Sequence, residues 1–357
     1  ATHPEKLTLI KAQLVANLTT APLYDTALFT KHLESAYLTM YERYQNGLAP
    51  EHIVVEHYHN KAIAVHEDIF HLQNKGKPMP IVDQELQESN AQATVEQATR
   101  MAYVKALSEA GNMKINAVII EHDDRELLFN YREDSIADNG VIKQVFQDNA
   151  YDIAHWEQGK KLIEYHNQQS KIRPSLIIDA GANIGASAVY FSINYPSSFV
   201  FSLEPDTTNW HLLEINTIGL NVFNFNGAIA DVDGELALVD PGQSDWGFMT
   251  TAIPAENQQD IIKVKSISPL SILSHPATQN LNPLILKIDI EGGEDYLFKG
   301  DTHWLKNFPL IIIELHDWML PFSGSSRNFI KAIAEHDFDF VHRGEKIFLF
   351  NRQILGS

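Results

Sequence analysis

Short apolar runs alternate with helical patterns through the second half of the chain. Runs of this kind, bounded by turn-forming residues, predict buried strands. The predicted strands are Leu176–Asp179, Phe199–Leu203, Val222–Phe225, Leu284–Ile288 and Leu310–Glu314. Helical spacing over Ala186–Asn194 and Asn209–Ile218 separates the early strands. The alternation predicts an α/β fold, a Rossmann-like parallel sheet with helices on both of its faces.

Further predicted elements flank and interrupt this core. Helical patterns cover Thr94–Ala110 and Asp148–His166, and hairpins are predicted for Ile115–Glu121 with Arg125–Tyr131 and for Phe338–His342 with Lys346–Asn351. An insertion after the third strand places short strands, Glu235–Val239 and Ile261–Val264, around a turn-rich loop. Because that loop carries Trp246 and Phe248, we expect either an anchor into the body of the protein or a lid over substrate.

The N-terminal part of the chain has a different character. Residues 1–90 are predicted to be an α-rich extension and linker, and residues 91–357 a second domain with its core over about 160–357. The clearest helical pattern of the extension is Asp25–Asn46, which ends before Gly47. The polar stretch Gln73–Ala93 marks the boundary between the two parts.

Composition narrows the classes of function. The formal net charge of −19 argues against a nucleic-acid partner, because a protein that neutralises phosphates needs a basic face. The sequence has no apolar run of about 18 residues and no secretory pattern at its start, so we expect no membrane span. With no cysteine, disulfides and thiolate metal sites are excluded. These features favour a cytoplasmic protein.

The first predicted core strand runs into a loop of small residues. The loop reads Asp179-Ala180-Gly181-Ala182-Asn183-Ile184-Gly185, and it opens a helix. Glycine lets the backbone approach a ligand without a Cβ in the way. A dinucleotide site would need Gly-x-Gly-x-x-Gly, a spacing that is absent here. The loop therefore favours S-adenosylmethionine, whose cationic sulfonium suits the carboxylate of Asp179.

The ends of the second and third strands supply the other predicted cofactor contacts. An acid at the end of the second strand can accept hydrogen bonds from both ribose hydroxyls, which assigns Glu204 and the adjacent Pro205 to the cofactor. Asn226 and Ala228, just after the third strand, are also assigned to it. Asp289, after the fourth strand, is placed to meet the methionine portion.

A third motif gives the site a family resemblance. The fourth strand runs into Asp289-Ile290-Glu291-Gly292-Gly293-Glu294. With the loop at Asp179–Gly185, this run resembles the FkbM family of S-adenosylmethionine-dependent methyltransferases over about residues 146–350. The resemblance implies the class I methyltransferase sheet, in which the last strand enters antiparallel.

Methyl transfer to a hydroxyl calls for a base near the methyl group. Four candidates follow the fourth and fifth strands: Asp289, Glu291, Glu314 and His316. Because an unperturbed histidine has a pKa of about 6.5, we expect His316, assisted by Asp289, to accept the proton near neutral pH. A polar turn at the end of the fifth strand is the alternative explanation of Glu314 and His316.

A metal ion is a rival use of the same carboxylates. Methyltransferases of the catechol type bind Mg²⁺ through carboxylates, and Asp289 occupies the corresponding strand end. The sequence shows no second carboxylate cluster of the expected kind, so Mg²⁺ is the lesser expectation. His57 and His59 of the N-terminal region are a weaker metal candidate.

Taken together, these residues predict an S-adenosylmethionine-dependent O-methyltransferase. The family resemblance implies an acceptor hydroxyl on a sugar, glycan or related metabolite. Residues 22–53 also resemble the tail of SPINDLY-type tetratricopeptide glycosyltransferases, which suggests a glycan setting and a docking partner or homodimer through the N-terminal region. The alternative is a non-catalytic cofactor-binding or docking protein of a glycan-assembly system.

Overall fold

The computed structural model describes residues 99–108, 113–122, 125–239, 249–251, 262–319 and 321–356. All of them belong to one unit, residues 81–357. The predicted helix Asp25–Asn46, the N-terminal histidines and the loop with Trp246 and Phe248 lie outside the described residues.

The described strands, in chain order, are β1 (Ile115–His122), β2 (Arg125–Arg132), β3 (Ser175–Ala180), β4 (Ser198–Glu204), β5 (Val222–Asn226), β6 (Ala228–Ile229), β7 (Gly234–Val239), β8 (Met249–Thr251), β9 (Ile262–Ile267), β10 (Asn282–Ile288), β11 (Leu310–Glu314), β12 (Phe338–Arg343) and β13 (Lys346–Asn351). The helices are α1 (Ile136–Ile142), α2 (Glu157–Gln169), α3 (Ala186–Asn194), α4 (Thr207–Asn216), α5 (Pro269–Ser274), α6 (Glu294–Leu297), α7 (Arg327–Ala334) and α8 (Arg352–Leu355), and residues 99–108 are also helical. A π-helical turn covers Lys143–Gln147, and a 3₁₀ turn covers His303–Asn307.

The central sheet has seven strands in the order β12-β13-β11-β10-β3-β4-β5. The neighbours from β11 to β5 pair in parallel, whereas β13 is antiparallel to both β11 and β12. All five predicted core strands and the terminal hairpin are therefore confirmed. The class I arrangement with an antiparallel last strand is confirmed as well.

The sequence pattern of the central strands reflects burial on both faces of the sheet. In β3, Ile177 belongs to the core on one face, while Leu176 and Ile178 belong to the core on the other. β11 alternates in the same way between the two cores. Because successive side chains of a strand point to opposite faces, a doubly covered strand must be apolar at nearly every position.

Two predicted helices have different starting points in the structure. Helix α4 begins at Thr207 rather than Asn209, because the Asp206 side chain caps it by accepting a hydrogen bond from the Asn209 amide at 2.8 Å. Helix α2 begins at Glu157, not Asp148. Trp156 is still extended at its N-cap, and turns occupy the segment before it.

The predicted insertion forms a second sheet, with the order β6-β9-β7-β8. Its strands β7 and β9 confirm the two predicted short strands. The hairpin β1–β2 is also confirmed and pairs over its full length. Among the described helices, none is both long and apolar enough to cross a membrane.

Candidate active site

The predicted site residues lie at one edge of the sheet. Glu314, Asp289 and Glu204 stand at or just after the carboxyl ends of β11, β10 and β4, and β3 lies between the last two strands. Ligands of open α/β sheets bind outside these strand ends. A cavity of about 430 Å³ opens there.

Most of the predicted site residues line this cavity. The predicted residues found there are Gly181, Ala182, Asn183, Glu204, Pro205, Ala228, Asp289, Glu291, Glu314 and His316. Asp179, Gly185 and Asn226 are not among the lining residues. The structure thus brings all four catalytic candidates together with the small-residue loop.

Asp179 has a structural environment that differs from the expected one. Its side chain is fully buried, its Oδ2 accepts a hydrogen bond from the Ser187 hydroxyl at 2.7 Å, and its Oδ1 lies 3.2 Å from the Lys287 ammonium. The carboxylate is therefore neutralised by the protein itself. Contact between the Asp179 carboxylate and the sulfonium stays a prediction, since the ion pair seen in this structure is with Lys287.

The glycines of the loop are required by packing within the protein. Gly181 has φ +78°, and a Cβ there would lie 1.7 Å from the Asp289 carbonyl oxygen. Gly185 has φ +95°, and its Cβ would press on the Leu213 side chain at 3.0 Å. The glycines let β3 approach β10 and helix α4. That the backbone at Gly181 also approaches the cofactor stays a prediction.

Glu204 is fixed by the backbone around it. One carboxylate oxygen accepts from the Asn183 amide at 2.8 Å, and the other accepts from the Asp206 amide at 2.9 Å. Burial raises the pKa of Glu204 to about 7, although both hydrogen bonds favour the ionised form. Each oxygen keeps a second lone pair, so this carboxylate can still accept hydrogen bonds from ribose hydroxyls. Asn226 instead donates to the Glu204 carbonyl at 3.1 Å.

His316 is the centre of the acidic end of the cavity and is 1% exposed. Its Nδ1 lies 2.8 Å from Glu294 Oε1. Its Nε2 faces carboxylate oxygens of Glu291 at 3.4 Å, Asp289 at 3.7 Å and Glu314 at 3.8 Å. The geometry makes one cluster of all four catalytic candidates.

The cluster shifts the titration of its own members. Burial alone would lower the pKa of His316, but the Glu294 hydrogen bond and the surrounding carboxylates outweigh it and raise the pKa to about 9. Burial and the charge of Asp289 raise the pKa of Glu291 to about 7. The expected histidine pKa of about 6.5 is therefore corrected, since the ring is protonated at neutral pH in this arrangement.

Two lysines that sequence reasoning missed hold the carboxylates in place. The Lys346 ammonium lies 2.9 Å from Glu314 Oε2, and Lys287 lies 3.8 Å from Asp289 Oδ2. Lys287 also donates to the Gly181 carbonyl at 2.5 Å. The sequence did contain a signal for Lys287, because it is a charged residue inside the otherwise apolar run of β10. The sequence contained no such signal for Lys346, which lies opposite Glu314 because β13 pairs antiparallel with β11.

Comparison with known proteins adds the family. Residues 179–342 match the family model described as the methyltransferase FkbM domain. Over these residues the chain is similar to an FkbM methyltransferase domain. A relative from Beauveria bassiana (strain ARSEF 2860), named methyltransferase 1, is 25% identical over 230 residues, which cover 55% of this chain and 83% of that protein.

Two solved structures resemble the chain more remotely. A methyltransferase from Geobacter sulfurreducens has 15% identity and a TM-score of 0.26, over 59% of this chain and 87% of that one. An S-adenosylmethionine-dependent O-methyltransferase from Thermotoga maritima has 13% identity and a TM-score of 0.27, over 66% and 77%. TM-scores this low do not support a fold assignment, which is based instead on the strand order of the chain's own central sheet.

The FkbM domain match and the class I sheet together support S-adenosylmethionine-dependent methyl transfer. The family resemblance inferred from the two sequence motifs is confirmed. The comparisons do not support the Mg²⁺ considered from the sequence.

Proposed function

We propose that the chain is an S-adenosylmethionine-dependent O-methyltransferase whose acceptor is a hydroxyl of a sugar, glycan or related metabolite. The observation that carries the proposal is a single cavity with two chemically different ends. One end is the loop at Gly181–Asn183 with Glu204, and the other is the cluster around His316. A volume of about 430 Å³ is in the usual range for small-molecule sites.

The cofactor end follows from Glu204 and the loop. Glu204 would accept hydrogen bonds from the ribose hydroxyls, while Ala228 and Pro205 offer small apolar surface beside it. The methionine portion would then point along the loop toward Asp289. This direction brings the methyl group to the carboxylate cluster.

The acceptor end is rich in hydrogen-bond acceptors, which suits a polyhydroxyl acceptor. Glu291 reaches the cavity most openly, since its side chain is 24% exposed whereas that of His316 is 1% exposed. We assign the proton to Glu291: as the acceptor oxygen attacks the methyl carbon, the C–S bond breaks, sulfur keeps the electron pair and the hydroxyl proton passes to a Glu291 oxygen. His316 orients the carboxylates from below.

Positioning of the reactants would supply the remaining part of the rate enhancement. Holding nucleophile and methyl carbon in line can contribute about 7–11 kcal/mol. Asp289 and Glu314 are suited to orienting acceptor hydroxyls, because the two lysines fix them. Trp318, which lines the cavity and is 65% exposed, offers an apolar wall at its mouth.

The test joins cofactor binding to turnover. Glu291→Gln is expected to lower turnover on a responsive sugar or polyol by about 10²–10⁴-fold, as for the loss of a general base, with S-adenosylhomocysteine affinity little changed. Glu335→Gln, an exposed acid on the protein surface, is the matched control. Full turnover in Glu291→Gln would remove the base role. Cofactor binding without turnover on any acceptor would favour the non-catalytic docking alternative.

A further inference from the structure

Around His316 and Lys287, acidic side chains outnumber the cationic side chains that face them. Five acids (Asp179, Asp289, Glu291, Glu294 and Glu314) share three cationic side chains (Lys287, Lys346 and His316) among the described residues. Glu294 is fully buried, and its Oε2 has no described hydrogen-bond partner. Because buried charge is unfavourable unless it is paired, a divalent ion that displaces the His316 proton to solvent would raise the positive charge facing these acids from three to four.

The histidine provides a second and independent observation. His316 Nδ1 is engaged by Glu294 at 2.8 Å, which leaves Nε2 directed at the other three acids. The hydrogen bonds of the described residues do not involve Nε2, and His316 lines the cavity. A carboxylate on the far nitrogen is the arrangement that orients metal-binding histidines and fixes their tautomer.

The two lysines leave one oxygen of each strand-end carboxylate available. Lys346 occupies Glu314 Oε2, so Oε1 faces His316 Nε2 at 3.8 Å. Lys287 is nearest to Asp289 Oδ2, so Oδ1 faces the same nitrogen at 3.7 Å. Opposite ligands of an ion with bonds of about 2.2 Å are ~4.4 Å apart. Both oxygens are thus already within the span of one coordination sphere.

We propose that Asp289, Glu314 and His316 bind a divalent first-row transition-metal ion at the acceptor end of the cavity. The three ligand atoms lie within 4.8 Å of one another. Imidazole beside two carboxylates suits Mn²⁺, Fe²⁺ or Zn²⁺ better than Mg²⁺, which prefers oxygen ligands and water. The ligands come from two adjacent strand ends, and the third carboxylate, Glu291, stays beside the ion.

The ion would define the class of acceptor, a step that rests on the proposed function. Three protein ligands leave coordination positions open on the cavity side. Two adjacent oxygens of one acceptor, as in a vicinal diol, would chelate the ion there. The ion would lower the pKa of the reacting hydroxyl and hold its oxygen toward the methyl group, while Glu291 takes the proton.

Mn²⁺ binding to the full chain tests the site without any turnover. After treatment with EDTA, titration followed by electron paramagnetic resonance should show one bound Mn²⁺ per chain at this site, with nitrogen coupling from His316. His316→Gln should abolish the nitrogen coupling, and Asp289→Asn or Glu314→Gln should abolish binding. Glu294→Gln should weaken binding by about 10–100-fold, the usual effect of removing a group that orients a metal ligand.

The matched control is Asp301→Asn. Asp301 lies 2.7 Å from His303 in an exposed pair without a third ligand in the described region, so this variant should bind Mn²⁺ normally. Retained S-adenosylhomocysteine binding by Glu314→Gln would show that the variant is folded. Absent Mn²⁺ and Zn²⁺ binding, or binding unaffected by all three ligand variants, would overturn the proposal. Mn²⁺ bound as expected without methyl transfer would instead overturn only the proposed function.

Discussion

At the scale of single residues, the environment of each carboxylate decides its use. Asp179 and Glu204 end neighbouring strands and are both buried, yet they have different partners. Asp179 faces a lysine, whereas Glu204 accepts hydrogen bonds from two backbone amides among the described residues and lines the cavity. Asp179 is buried against a lysine and is not among the residues that line the cavity, whereas Glu204 lines the cavity and can accept hydrogen bonds from ligand hydroxyls.

The pKa of Glu204 predicts how cofactor affinity depends on pH. With the pKa raised to about 7, the unliganded carboxylate is increasingly protonated below that pH. Ribose hydroxyls favour the ionised form, so S-adenosylhomocysteine affinity should rise as pH increases from about 6 to 8. Glu204→Gln should weaken binding by about 1.5–3 kcal/mol at pH 8.

Titration calorimetry across this pH range measures both effects. The pH dependence should disappear in Glu204→Gln, which keeps the size of the side chain. Glu335→Gln should keep the native profile. A native profile that is flat, or an unchanged affinity in Glu204→Gln, would remove Glu204 from the ribose site.

At the scale of elements, the site depends on how closely β3 and β10 approach each other. Gly181 follows β3 directly and lies against the carbonyl of Asp289. Asp289 is the first residue of the acidic turn after β10. Lys287 adds a side-chain link between the same two strand ends. The loop and the acidic cluster are therefore mechanically one unit, and displacement of one should displace the other.

Two glycines with positive φ allow the cost of backbone strain to be distinguished from the cost of a steric clash. Gly344 has φ +61°, and a Cβ at this position would meet no other atom within 4 Å, so Gly344→Ala should cost only about 1–2 kcal/mol of unfolding free energy. Gly181→Ala adds a Cβ 1.7 Å from the Asp289 carbonyl oxygen. It should lower the unfolding free energy further and also weaken S-adenosylhomocysteine binding.

Urea unfolding and calorimetry on the two variants check this pair. Equal losses of stability with normal cofactor binding in both would mean that the strand ends tolerate separation. That result would contradict the coupling of loop and cluster.

At the scale of the whole molecule, the described lining of the cavity belongs to the second part of the chain. Among the residues that the structure describes, those that line the cavity fall between Gly140 and Glu345, within the proposed domain of residues 91–357. The strand order of the sheet explains this, because neighbouring strands place their carboxyl ends at one edge. The resemblance of residues 22–53 to a glycosyltransferase tail gives the N-terminal part a proposed docking role.

A fragment of residues 91–357 should therefore fold cooperatively and bind S-adenosylhomocysteine with the affinity of the full chain. Thermal unfolding and calorimetry on both proteins test this. A fragment that is folded but has lost cofactor binding would show that residues 1–90 contribute to the site.

The sequence by itself determined the fold and the location of the candidate site. Doubly covered parallel strands must be apolar, so β3, β4, β10 and β11 were readable as runs, and the polar residues that follow them marked the functional edge. The glycine loop and the Asp289–Glu294 run were the basis of the resemblance to the FkbM family. These are local signals, because each depends on residues adjacent in the chain.

Only the tertiary structure decided which group each acid faces. Lys346 reaches Glu314 and Glu294 reaches His316 across 32 and 22 positions of sequence, distances over which no local pattern operates. The same packing places Lys287 against Asp179 and leaves no room for a side chain at Gly181. It also raises the pKa of His316 to about 9. Charge interactions and burial depend on distance in space, and the fold alone sets that distance.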